Sequence, residues 1–160
     1  MTTQLGRVVL AMVLCGGLVA LASDRHALAA AKKSESVVKA TASAGKPDAD
    51  GNLVVTVTLA IDKTWHVYAN PVPKDFPGLP TIVTVEAKAK PEDVKVEYPA
   101  GKVIKDATVG DYNVYEDKAD IKLTLRRAKG DASPLNVSIQ VQACSDKQCL
   151  LPSTLKVTVP

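Results

Sequence analysis

Leu53-Val54-Val55-Thr56-Val57-Thr58-Leu59-Ala60-Ile61 is the stretch on which the fold class turns. Leu53, Val55, Val57, Leu59 and Ile61 alternate with Val54, Thr56, Thr58 and Ala60, a period of two rather than 3.6. Successive strand residues point to opposite faces, so this pattern predicts a half-buried β-strand. The parity runs on through Lys63 into Trp65 and Val67. Three later runs repeat it. Ala119, Ile121, Leu123 and Leu125 alternate with polar residues, as do Leu135, Val137, Ile139 and Val141, and then Leu155, Val157 and Val159.

Weaker strands are expected at 37–42, 81–87 and 94–98. Turn residues separate the runs at Asp48-Ala49-Asp50-Gly51, Pro99-Ala100-Gly101, Gly110-Asp111 and 130–134. Residues 71–80 carry four prolines and read as a long loop that cannot serve as a central strand. Only residues 86–90 resemble a helical turn. Seven or eight short strands with regular turns describe an all-β chain, a β-sandwich.

The first 29 residues read as an export signal. Arg7 precedes an apolar stretch from Val8 to Ala22, and Ala27-Leu28-Ala29 offers a small-x-small cleavage site before Ala30. The stretch is short of the roughly 20 residues that span a bilayer. Cys15 lies inside it, but Leu14 stands where a lipoprotein signal has a small residue. The expected layout is therefore a signal peptide over 1–29 and one domain over 30–160, with 30–35 a loose leader. The mature chain is then expected to be free of the membrane.

Of 160 residues, 20 are basic and 17 acidic; without Arg7, Arg25 and Asp24, 18 and 16 remain, a net of +2. That balance, with no basic cluster interleaved with aromatics, speaks against nucleic-acid binding. No hydrolytic constellation or phosphate loop is present, and no cofactor is expected.

Cleavage leaves two cysteines, Cys144 and Cys149, bound for an oxidising compartment. By parity Cys144 points with Gln140 and Gln142, away from the core and near solvent. A four-residue connection between two antiparallel strands can bring its flanking residues within disulfide reach. As a staple the bridge would be weak, about 2 kcal/mol for a loop of about six residues. A redox role needs only two neighbouring sulfurs that another thiol can meet. The spacing leaves both readings open. Metal is a third: with His66 the pair is one ligand short of a structural zinc site, whereas a soft Cu(I) site is chemically possible.

The segment Gln142-Ala143-Cys144-Ser145-Asp146-Lys147-Gln148-Cys149-Leu150-Leu151-Pro152 resembles the N-terminal domain of the thiol:disulfide interchange protein DsbD. Trp65 to Asn70, Tyr98-Pro99-Ala100-Gly101 and the region from Gly110 to Tyr115 share the resemblance. It implies a periplasmic immunoglobulin-like domain that passes electrons between thioredoxin-like and other exported thiol-disulfide proteins, a possible oxidoreductase. It further implies that Cys149 forms the mixed disulfides and Cys144 resolves them, with His66 and Tyr68 beside the sulfurs. Family members cover the disulfide with a cap loop presenting a phenylalanine. The matching stretch here, Asp106, Ala107, Thr108, Val109 and Gly110, has no aromatic. The only phenylalanine, Phe76, lies in the proline-rich loop, leaving Tyr112 as an alternative shield. The sequence ends at Pro160, so a stand-alone domain fed by another chain is expected. The alternative is a non-catalytic exported binding module with a structural disulfide.

Overall fold

A computed structural model describes residues 31–160; the expected signal peptide lies outside them. Among the described residues the chain forms eleven strands. These are β1 (Val38–Ala44), β2 (Asn52–Ile61), β3 (His66–Tyr68), β4 (Ile82–Glu86), β5 (Glu92–Glu97), β6 (Lys102–Ile104), β7 (Tyr112–Glu116), β8 (Lys118–Arg126), β9 (Leu135–Val141), β10 (Ala143–Cys144) and β11 (Ser153–Val159). All strand pairs are antiparallel. The fold is an immunoglobulin-like sandwich. Its sheets run β1-β2-β8-β5, β10-β3-β7-β6 and β11-β9-β4.

The alternation seen in the sequence becomes the core. Leu53, Val55, Val57, Leu59 and Ile61 are buried, and so are Ala119, Ile121, Leu123 and Leu125 opposite them. The register places Val55 against Leu123 and Val57 against Ile121, so like faces meet like. Leu135, Val137, Ile139 and Val141 close the cluster from β9. Each such aliphatic side chain stabilises the fold by about 1.5–3 kcal/mol when fully buried.

The central ladder turns a corner. Ala60 pairs with Lys118 and His66 with Glu116, so one strand advances six residues while the other advances two. The excess is even, which preserves parity: Trp65 packs against the core and Val67 is buried within it. Thr64 and Asp117 take positive φ here, and Asp117 O accepts the Ile61 N–H at 2.8 Å. The long strand expected through Trp65 is thus two strands in two sheets.

Other expectations change as well. Residues 86–90 form no helical turn; among the described residues the helical element is a single 3-10 turn at Ser34–Ser36. Within the leader expected to be loose, Lys33 bridges Leu151 and Ser34 is fully buried, so this part is held against the domain. The strands β6 and β7 appear where the sequence offered only turn residues: β6 is a three-residue edge strand, and β7, between β3 and β6, does not alternate in burial.

Ile121→Ala is expected to lower the unfolding free energy by about 2–5 kcal/mol in a urea titration. Lys122→Ala, on the exposed face beside it, should stay within about 0.5 kcal/mol.

Candidate functional site

Cys144 and Cys149 form a disulfide with Cα atoms 4.0 Å apart. The local hydrogen bonds explain why they meet. Ser145 N–H donates to Gln148 O and Leu150 N–H to Ala143 O, each at 2.8 Å. Bonds in that pattern make Cys144 and Cys149 a non-hydrogen-bonded antiparallel pair, the position where opposed Cα atoms come closest. The Ser145 hydroxyl steadies the turn, donating to Gln148 O at 3.3 Å.

The two sulfurs differ in surroundings. Cys149 is exposed, whereas Cys144 is 2% exposed. Parity set the direction of Cys144 correctly: it pairs with His66, while Ala143 pairs with Val67 on the core face. The pair was expected near solvent; Cys149 lies there, whereas Cys144 is covered. Val114 shares the face through its pairing with Tyr68 and is also fully buried, outside the core cluster.

A group of aromatic rings covers that face. Tyr68 packs edge-on against Phe76 at 4.9 Å and Tyr112 at 5.8 Å between centroids. Phe76 meets Tyr112 at 4.8 Å, and His66 meets Tyr68 at 5.9 Å. The Tyr68 hydroxyl lies 3.9 Å from Cys149 Sγ. Burial raises the Tyr68 phenol above its usual pKa, and the neighbouring Tyr112 adds to this.

The proline-rich loop delivers Phe76 because both its ends are tied down. Thr81 N–H and hydroxyl both donate to Tyr68 O, at 2.9 and 2.7 Å. Asn70 Nδ2 donates to Thr81 O at 3.0 Å. Leu79 N–H reaches Gln142 Oε1 at 3.2 Å, which anchors the loop to the residue two before Cys144. Gly78 lets the rings close: a Cβ there would stand 2.3 Å from Tyr68 Cε2 and 2.6 Å from Phe76 Cε1.

The 106–110 stretch, expected as a cap, forms its own turn. Asp106 Oδ1 accepts the N–H groups of Thr108 (2.7 Å) and Val109 (3.0 Å), shaping its own loop. Those bonds hold its carboxyl below the usual range. Ala107 and Thr108 are exposed. Among the described residues no hydrogen bond or ring contact joins Asp106, Ala107 or Thr108 to the cysteines, whereas Tyr112 belongs to the ring group. Phe76 and Gly78 were hidden in a loop whose sequence says only that it is not a strand; the lone phenylalanine was the available signal.

Burial holds the His66 imidazole below its usual pKa, against the pull of the Glu116 and Asp146 carboxylates; Lys102 reinforces the lowering. Among the described residues no group of three or more His, Cys, Asp or Glu side chains is arranged to hold a metal ion. No helix among them is long and apolar enough to cross a membrane.

A sandwich domain with a cross-strand disulfide, one sulfur covered and the other open, is a thiol-disulfide domain in its architecture. The chain belongs to the family described as the thiol:disulfide interchange protein DsbD, N-terminal, whose model matches residues 33–160. The N-terminal periplasmic domain of ScsB from Proteus mirabilis shares the fold at 18% identity and a TM-score of 0.52, over 74% of this chain and 44% of that one. The chain therefore spans less than half of that structure. The N-terminal domain of DsbD from Neisseria meningitidis in the reduced form aligns at 16% identity and a TM-score of 0.49, over 78% and 84% of the two chains. The complex of DsbD and PilB N-terminal domains from Neisseria meningitidis gives 14% and 0.43, over 68% and 75%. No curated protein matches.

Two outcomes test this geometry. Gly78→Ala should force the Tyr68 and Phe76 rings apart and cost about 1–3 kcal/mol in chemical denaturation. His66 has its folded pKa below its unfolded value of about 6.5, so the unfolded chain takes up the proton first as pH falls. Its contribution to stability is present above that value and is lost on acidification through the folded pKa. His66→Gln should flatten this limb between pH 7.5 and 5.5, measured by urea midpoints at each pH. Identical slopes in the two proteins would contradict it.

Proposed function

We propose that the protein is a periplasmic thiol-disulfide exchange domain, exported through the 1–29 leader, that passes electrons between thioredoxin-like proteins through Cys144 and Cys149. The observation that carries this reading is the inequality of the two sulfurs within a domain of this family.

A partner thiolate attacks Cys149 Sγ, the S–S bond breaks, and Cys144 leaves as a thiolate. The partner's second thiolate then attacks its own sulfur in the mixed disulfide and releases Cys149. The partner ends oxidised and the domain holds two electrons as a dithiol. In delivery the order reverses: the Cys149 thiolate attacks an oxidised partner, and the Cys144 thiolate attacks Cys149 Sγ to free the reduced partner. A covered Cys144 resolves without competing for outside disulfides.

The aromatic group supplies the surroundings. Tyr68 stays protonated, because burial raises its pKa, and its hydroxyl faces Cys149 as a donor to thiolate. Phe76 and Tyr112, whose rings pack on Tyr68, take the shielding role that the resemblance gives to a cap-loop phenylalanine. His66, paired with Cys144, completes the wall. A staple in so short a loop would add only about 2 kcal/mol.

Cys144→Ala should accumulate a mixed disulfide through Cys149 when mixed with an oxidised thioredoxin-like protein, whereas Cys149→Ala should trap at least tenfold less. The wild-type couple should equilibrate with dithiothreitol. A potential well below about −300 mV, with no trapping, would instead identify a binding module with a structural disulfide.

A further inference from the structure

Ser34 is fully buried in the 3-10 turn that precedes β1. Its hydroxyl donates to Leu151 O at 2.8 Å and accepts the Ala143 N–H at 2.9 Å. Ala143 immediately precedes Cys144, and Leu151 follows Cys149 by two. One oxygen is therefore bonded to both arms of the cysteine hairpin, at the end opposite its turn. Backbone bonds hold the serine there: Ser34 N–H donates to Leu151 O at 2.9 Å and Leu151 N–H to Lys32 O at 3.2 Å.

The ladder shows why a side chain is needed. In a regular antiparallel pair Ala143 and Leu150 would exchange two bonds. Only Leu150 N–H to Ala143 O is formed, and the Ala143 N–H goes to Ser34 instead. Past this point the arms fall out of step: Ala143 lies opposite Leu150, whereas Val141 pairs with Ser153. Ser34 fills the irregularity. Ala143 is itself fully buried, so without the hydroxyl its N–H would have no acceptor.

We propose that Ser34 is a positioning residue for disulfide exchange, an inference that rests on the exchange reading above. The serine hydroxyl keeps the two arms in register after the S–S bond has opened, so the Cys144 thiolate stays aligned on Cys149 Sγ for the resolving step. Ser34 itself neither gains nor loses a proton. The bond formed is Cys144–Cys149, the bond broken is Cys149 to the partner sulfur, and the partner leaves as thiolate. The serine acts on the dithiol and mixed-disulfide forms, which lack the covalent constraint that the oxidised form has.

The test compares wild type, Ser34→Ala, Ser34→Thr and Ser153→Ala, each purified from the periplasm. The readouts are the glutathione equilibrium of the cysteine pair and the rate at which the Cys149–glutathione mixed disulfide resolves. Ser34→Ala should lower the equilibrium constant for disulfide formation three- to tenfold, about 15–30 mV less negative, and slow resolution by a similar factor. Ser34→Thr should restore both. Ser153→Ala removes the hydroxyl that accepts the Glu35 N–H at 3.1 Å and leaves the hairpin bonds in place. It should reduce stability without moving either readout.

Should Ser34→Ala fail to fold, hydrogen exchange on the wild type decides: the Ala143 amide should stay protected in the reduced protein. Loss of that protection on reduction overturns the proposal, as does a folded Ser34→Ala matching wild type in both readouts. A wild-type disulfide that dithiothreitol leaves closed overturns the exchange reading, and this proposal with it.

Discussion

Between Val141 and Ala143 the chain keeps two fully buried side chains while changing the strands with which it pairs. Val141 belongs to the ladder with β11, and Ala143 to the ladder with β3. Gln142 alone separates them. Burial on both sides leaves no freedom to rotate the strand, so Cys144 must emerge on the outer face opposite His66. The hairpin that follows then returns Cys149 to it. Had the strand stayed in one sheet, the pair would sit on an open sheet end with no wall beside it.

That constraint also explains the second apolar layer. A sheet face opposite the core is normally wet, yet Val114 and Cys144 are dry there. The cover comes from a ten-residue loop whose ends are tied together by bonds among Tyr68, Asn70 and Thr81, and which reaches across to Gln142. Packing of Phe76 on Tyr68 and Tyr112 depends on the missing Cβ at Gly78. The electrostatics around the sulfurs follow from this burial. His66 leans toward its neutral form and Tyr68 toward its protonated form, so the wall beside the disulfide has little charge of its own.

The sheets were legible wherever one face is buried. The runs at 53–61, 119–125 and 135–141 alternate because water on one side and core on the other impose it residue by residue. The corner at 62–65 escaped notice because its four-residue excess leaves parity unchanged. Strands β6 and β7 were missed because neither alternates: β6 is a three-residue edge strand, and β7 buries Val114 on one face and Tyr115 on the other. At the site, the resemblance brought His66, Tyr68 and the cysteines together, and the pairing of Cys144 with His66 agrees with the shared outer face. Ser34 could not be read this way. A serine in a small, basic leader looks like any solvated residue, and both its partners lie more than a hundred positions away.

By itself, then, the sequence determined the strand period, the core faces and the neighbouring cysteines, because these depend on alternation and on local spacing. Only the tertiary structure decided that Cys144 is covered while Cys149 is open, that Phe76 packs on Tyr68 and Tyr112, and that the leader hooks the cysteine hairpin. Each of these depends on which distant backbone donors and acceptors find one another. Such pairings are set by sheet register and loop closure, and these leave no local trace in composition.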